Sequence, residues 1–246
     1  MRGNRTVYAI IPALNEAEAI IGIVNGLYAL RDNNGHPIVH RVIVADNGST
    51  DGTGRLALMA GATVIQELRR GYGYACMAGI AAANDADILL FVDGDNSVVI
   101  QETASLLAAI DLGADLVIGS RINVEPGAMT PPQRFGNWLA CFITHLIWSV
   151  PISDLGPFRA IRKKSFDHLD MKDMTYGWTI EMQIKAFQCG QQVTEVPVSI
   201  RCRIGRSKVS GTVRGVIGAG VGIFSMITKL WWRERRGASS HRVRRV

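Results

Sequence analysis

In Leu89-Leu90-Phe91-Val92-Asp93-Gly94-Asp95-Asn96-Ser97, four apolar residues run directly into two carboxylates one residue apart. Such an apolar run reads as a strand buried on both faces, with the acids just past its C-terminal end. Open α/β sheets hold their ligands at that edge. Two carboxylates this close repel each other unless a cation lies beside them, and their hard oxygens suit Mg²⁺ or Mn²⁺ better than zinc. Gly94 is read as the residue that lets the backbone turn tightly. The alternative is a solvated Asp-Gly-Asp turn.

Four further short apolar runs surround this one. Val7 to Ile11 is closed by Pro12, and Val42 to Ala45 leads into Asp46-Asn47-Gly48-Ser49-Thr50-Asp51. Thr63 to Ile65 leads through Arg69-Arg70-Gly71-Tyr72-Gly73 into an Ala-rich helix, and Leu116 to Ile118 leads into Gly119-Ser120-Arg121. Helical patterns separate these runs, and Ser49 or Thr50 is placed to cap the second helix. Alternating strands and helices mean right-handed crossovers and a parallel sheet covered on both faces. The fold class is therefore α/β and doubly wound up to about Gly119, with its polar loops gathered on one edge. Beyond Arg121 the alternation breaks. Residues 122 to 135 read as a Pro/Gly-containing loop, Trp138 to Val150 as an apolar helix, Asp154 to Arg159 as a turn before a short strand, and Thr179 to Cys189 as a helix.

The 246 residues, 48% of them apolar, suffice for a large core. Charge is unevenly spread: residues 1–200 carry 15 Lys/Arg against 20 Asp/Glu, and residues 201–246 carry 12 against one. A basic end of this kind favours phosphates or an anionic bilayer. It lacks the interleaved basic and aromatic residues of a nucleic-acid motif, so no nucleic-acid partner is expected. Cys76, Cys141, Cys189 and Cys202 have neither zinc nor disulfide-framework spacing, which points to a reducing compartment. With no signal-peptide core and no run of eighteen apolar residues, a cytoplasmic location without a membrane span is expected.

At the polar edge, a divalent ion on Asp93 and Asp95, a hydrogen-bond acceptor at Asp46 and several guanidinium groups suit a nucleoside diphosphate whose leaving charge must be neutralised. Gly71-x-Gly73-x-x-Cys76 imitates a dinucleotide-binding turn. It lacks the third glycine, is not on the first strand, and its supposed ribose acid is followed by a second carboxylate.

Ile11-Pro12-Ala13-Leu14-Asn15-Glu16, Val44 to Thr53, Asp93-Gly94-Asp95 and Gly119-Ser120-Arg121 together resemble the inverting family 2 glycosyltransferases of GT-A fold. Asp154-x-Gly156-Pro157-Phe158-Arg159 and Arg203-x-Gly205-Arg206-Ser207-Lys208 are similar to the dolichyl- or polyprenyl-phosphate sugar transferase branch. The resemblance covers about residues 6–230. It implies a GT-A domain over 1–212, with a nucleotide-binding half at 6–121, an acceptor half at 122–212 and a C-terminal apolar and basic segment at 213–246. It implies that Pro12, Ala13, Asn15, Glu16, Asp46, Gly71, Asp93, Gly94 and Asp95 bind the nucleotide-sugar donor. In that scheme Asp93 lies near the ribose and Asp95 holds Mg²⁺ or Mn²⁺. Arg206 and Lys208 would close over the diphosphate, and Arg121 and Arg134 would grip an acceptor phosphate.

The departures from the family are informative. Ser97 stands where the branch often has a Gln metal ligand, so Ser97, Asn96 or water completes the metal shell. The family's Glu-Asp pair is reduced to Glu181 alone. A phosphate acceptor is already anionic and needs no base, whereas a hydroxyl acceptor does. Polyprenyl phosphate is therefore the expected acceptor. Asp154 or Glu181 as base to a soluble hydroxyl acceptor, and a non-catalytic nucleotide-sugar binding module, are the alternatives. Gly215 to Ile227 followed by Trp231-Trp232 and basic residues reads either as an amphipathic segment making peripheral contact with the inner face of the membrane or as a helix packing on the body or on a second copy.

Overall fold

The computed structural model describes residues 5–205 and 213–243. Seven strands form one sheet in the order β3-β2-β1-β4-β6-β5-β7. In chain order they are β1 (Val7–Ala13), β2 (Arg41–Asp46), β3 (Thr63–Gln66), β4 (Ile88–Phe91), β5 (Leu116–Val124), β6 (Arg159–Arg162) and β7 (Val193–Ile200). The helices are α1 (Ala17–Ala29), α2 (Thr53–Met59), α3 (Tyr72–Ala81), α4 (Thr103–Asp111), α5 (Pro131–Trp148), α6 (Lys163–Asp167), α7 (Trp178–Gln188) and α8 (Val213–Val243).

The first four strands pair in parallel, as their apolar runs require. β6 then enters antiparallel between β4 and β5, making the sheet mostly parallel. Successive β1 residues serve opposite faces. Val7, Ala9 and Ile11 pack in the core beneath α1, while Tyr8 and Ile10 pack in the other core with Cys76 of α3 and Trp178 of α7. This explains why the strands read as unbroken apolar runs rather than alternating ones.

β1 runs two residues further than its apolar stretch. Ile10 O accepts from Val92 N on the β4 side and Ala13 O from Asn47 N on the β2 side. The nitrogen of Pro12 thus faces the β4 side past the last pair, Ile10 and Phe91, where no ladder bond is lost.

Two sequence expectations are corrected beyond Arg121. β5 extends to Val124 and α5 begins at Pro131, so the loop covers only residues 125–130. The prolines read as loop residues occupy the first turn of α5, where a missing N–H costs nothing, and Thr130 with Gln133 closes a capping box. α8 packs against α5 and α7, burying Met226, Ile227 and Leu230. No described helix is long and apolar enough to cross a membrane.

Candidate functional site

A cavity of about 540 Å³ opens at the C-terminal ends of β1, β4 and β5. Its floor is the Asp93–Ser97 loop, and its walls include Pro12, Ala13 and Glu16 from the first loop, Asn47, and Arg70 to Tyr72. Arg121, Gln133, Tyr176 and Arg203 close the remaining sides.

The floor owes its shape to backbone contacts. Ser97 N donates to Asp95 Oδ1 at 2.9 Å, and Ile204 N to Asp95 O at 2.9 Å. Asp95 is buried, and Asp93 is partly so. The tight turn falls at Asn96, with φ 61°, rather than at Gly94. Gly94 serves instead as a point of close approach, since a Cβ there would lie 3.3 Å from Glu16 Cγ.

Removal from water and the neighbouring Asp95 push the Asp93 carboxyl up to about 7, against the pull of Arg203 and Arg121. A site that disfavours the charged form of Asp93 in this way favours a cation. No group of three or more His, Cys, Asp or Glu among the described residues could hold a metal. The donor set is thus at most the two carboxylates, with the hydroxyl-bearing Ser97 beside them. That set fits Mg²⁺ or Mn²⁺, which retain waters and take phosphate oxygens as further ligands.

Arg203 escaped the sequence reading. Its Nη2 lies 3.2 Å from Asp95 Oδ2 and 3.3 Å from Glu16 Oε1, while its Nε is enclosed with no hydrogen-bond partner. Only its place in the Arg203-x-Gly205 motif could have flagged it. Arg206 and Lys208 lie outside the described residues.

Several expected site residues shape the walls without facing the cavity. Asn15 and Asp46 do not line it: Ser49 N donates to Asp46 Oδ1, and Thr50 N donates to Asn15 Oδ1 at 2.8 Å. Ser49 Oγ accepts from Asn15 N, so Ser49 and Thr50 tie two loops together instead of capping α2. Asp51 serves that helix start, accepting from Thr53 N. Asn47, the neighbour of Asp46, does line the cavity and accepts from Gly71 N at 3.0 Å. Gly71 and Gly73 are required by packing: a Cβ on either would strike the backbone of Met174, at 2.3 and 2.6 Å. Arg70 offers its guanidinium to the cavity with no protein partner among the described residues.

Across the cavity, Arg121 is gripped by Asp154. Its backbone N donates to Oδ2 at 2.7 Å, its Nε to the same oxygen at 2.9 Å, and its Nη2 to Oδ1 and to Asn137 Oδ1. Nη1 has no partner among the described residues and is free for a ligand. Burial pulls the Arg121 guanidinium down, but the hydrogen bond and charge of Asp154 outweigh it and hold Arg121 above its ordinary value.

Asp154, a candidate base in the sequence, thus holds Arg121 through both carboxylate oxygens and does not line the cavity. Glu181, the other candidate, does not line the cavity either. Fully buried, it accepts from Lys172 N and Asp173 N and pairs with Lys185 Nζ at 2.8 Å, fixing the 172–176 segment that supplies Thr175 and Tyr176 to the wall. Arg134 is exposed and does not line the cavity; Gln133 does. Arg159 of β6, fully buried, donates to the carbonyls of Leu155, Gly156 and Thr179 and so braces the turn carrying Pro157.

The family model for glycosyl transferase family 2 matches residues 8–170. An uncharacterized glycosyltransferase of Mycobacterium tuberculosis is 34% identical over 212 residues, which cover 86% of this chain and 93% of that protein. The polyprenol monophosphomannose synthase of Mycolicibacterium smegmatis is 31% identical over 235 residues, covering 86% and 84%. Glucosyl-3-phosphoglycerate synthase from Mycobacterium tuberculosis, solved with Mg²⁺ and uridine diphosphate, superposes with a TM-score of 0.73 at 20% identity, covering 93% of this chain and 80% of that one. At that identity the likeness concerns the fold. The model match and the two relatives together show that the chain belongs to glycosyl transferase family 2.

Proposed function

We propose that this glycosyltransferase moves a sugar from a UDP- or GDP-sugar to a polyprenyl phosphate, using Mg²⁺ or Mn²⁺. One observation carries the choice of acceptor. Arg121 brings to the cavity a guanidinium with one nitrogen free, while the two candidate bases, Asp154 and Glu181, are held by structural partners and do not line it. A cation aimed into a cavity binds a phosphate, and a phosphate monoester at neutral pH is a nucleophile without losing a proton. The 31% identical polyprenol monophosphomannose synthase agrees with this reading.

In the proposed reaction an acceptor phosphate oxygen, oriented by Arg121, attacks the anomeric carbon. The bond from that carbon to the diphosphate breaks, and the nucleoside diphosphate leaves with the electron pair. No proton is transferred. A divalent ion on Asp95 and Asp93 would supply charge neutralisation of the departing diphosphate, and Arg70 and Arg203 add fixed positive charge at the same place. Arg206 and Lys208 are proposed to join them.

A second reading, transfer to a hydroxyl, draws on Asp93, which near pH 7 could act as a base. A divalent ion on the same carboxylate pair would remove that capacity. The test is transfer of labelled sugar from UDP- and GDP-sugars to polyprenyl phosphate or to the uncharged polyprenol, with Mn²⁺. Label on the phosphate alone supports the first reading, and label on the alcohol supports the second.

A further inference from the structure

α5 is amphipathic the wrong way round. Its buried residues are small, Ala140, Cys141 and Thr144. Its large apolar residues face outward: Phe135 is 60% exposed, Trp138 56%, Phe142 50% and Leu146 72%. At 100° per residue these four fall within roughly 80° of arc, a single stripe about 16 Å long. Trp138 stacks on Phe142 with ring centroids 5.5 Å apart, and Phe135 lies 5.9 Å from Trp138, so these three rings form one continuous aromatic surface. Scattered exposed apolar residues are ordinary, but a contiguous aromatic stripe on one helix marks a surface that is covered in use.

We propose that this stripe is the face by which the protein lies on an anionic bilayer, dipping the aromatic side chains into the headgroup region. Arg134 stands exposed beside its start, and α8, whose Glu234 accepts from Trp148 Nε1 at the C-terminal end of α5, carries exposed Lys229, Arg233, Arg235 and Arg236. Exposed Trp232 lies among those cations. Aromatic residues with interspersed Arg and Lys form the pattern of an interfacial helix, while residues 1–200 carry net negative charge. The stripe begins two residues from Gln133, which lines the cavity. A bilayer on the stripe would therefore bring lipid to the cavity mouth, whereas a second copy would cover that mouth and set its cations against their own kind. The acceptor arm of the test rests on the function proposed above; the membrane arm does not.

The test is flotation of the full chain with phosphatidylcholine vesicles, with and without phosphatidylglycerol. Binding to the anionic vesicles is expected, with a loss of about tenfold or more in Trp138→Glu/Phe142→Glu and weaker, more salt-sensitive binding in Arg233→Glu/Arg236→Glu. Circular dichroism checks that the variants fold. Independently of them, brominated lipids should quench wild-type tryptophan fluorescence, and less so in Trp138→Phe. The glutamate double variant should keep its activity on a short, water-soluble isoprenyl phosphate and lose at least about tenfold on vesicle-borne polyprenyl phosphate. Flotation without transfer to either acceptor would uphold the membrane face while refuting the proposed acceptor. The inference is overturned by unchanged flotation of the double variant, by absence of quenching, or by a wild-type dimer that does not float and that the double variant dissociates.

Discussion

Replacing Asp93 by Asn should stabilise the metal-free protein while disabling it. The Asp93 carboxyl is raised from 3.8 to about 7 by burial and by Asp95. Folding therefore disfavours its charged form. Below the unfolded value both states are protonated and nothing is lost; stability then falls as pH rises from about 4 to 7, and the full penalty persists above 7. That difference corresponds to a ceiling of about 4 kcal/mol. Because the side chain keeps contact with cavity water, about half, roughly 2 kcal/mol, is expected in practice. For a chain of this size that is a melting shift of about 4–8 °C. The assay is thermal unfolding in EDTA between pH 4.5 and 8.5, wild type against Asp93→Asn. The variant should gain progressively up to pH 7 and hold a constant advantage above it. Adding Mn²⁺ with a nucleoside diphosphate should stabilise the wild type and leave the variant little changed. A difference independent of pH, or a variant less stable than wild type at pH 8, would refute the reasoning.

Other expectations follow from the same geometry. Asp154→Asn should lower turnover by about a hundredfold with little effect on nucleotide binding, because it frees Arg121 from its bidentate grip; steady-state kinetics with separate donor titration checks this. Arg203→Ala should bind Mn²⁺ several-fold more tightly without nucleotide, by about 1 kcal/mol, since a competing cation leaves Asp95, yet bind the nucleoside diphosphate more weakly; electron paramagnetic resonance titration of free Mn²⁺ reads both. Glu181→Gln should destabilise the fold by about 3 kcal/mol, leaving Lys185 and two backbone N–H groups poorly satisfied, and a melt would detect it. Burial holds the Cys141 thiol up at about 12 and the Cys76 thiol well above its ordinary value, so iodoacetamide at pH 8 should label only exposed Cys189 and Cys202 until the protein unfolds.

What was legible in the sequence was local. The runs at Val7, Val42 and Leu89 announce buried strands because parallel strands bury both faces, and a strand's C-terminal edge is where polar residues must gather. Asp93, Asp95 and Arg121 could be placed on that ground. The roles of Asp154 and Glu181 could not, because their partners are fixed by tertiary structure: Arg121 lies 33 residues from Asp154, and Glu181 turns back to the Lys172 and Asp173 amides. Arg203 meets Glu16 across 187 residues, a contact no local pattern encodes. β6 is four residues long and begins and ends in Arg, so it carries no apolar run to advertise a central antiparallel strand. Thr130-Pro131-Pro132-Gln133 spells the start of α5 as a capping box, while its two prolines equally spell a loop. The Asp-Gly-Asp spelling points to a turn at Gly94, and only the backbone angles reveal that Asn96 makes it.

The central claim is that Asp95 and Asp93 hold a divalent ion against a nucleoside diphosphate in the cavity that Arg121 enters from the acceptor side. Crystals grown with Mn²⁺ and UDP or GDP, measured by anomalous scattering, test it most directly. The account predicts one manganese peak within coordination distance of an Asp95 carboxylate oxygen and of the diphosphate, with the Arg203 guanidinium turned from Asp95 to the phosphates. A diphosphate bound in the cavity with no manganese at Asp95, or manganese bound elsewhere on the chain, would contradict it.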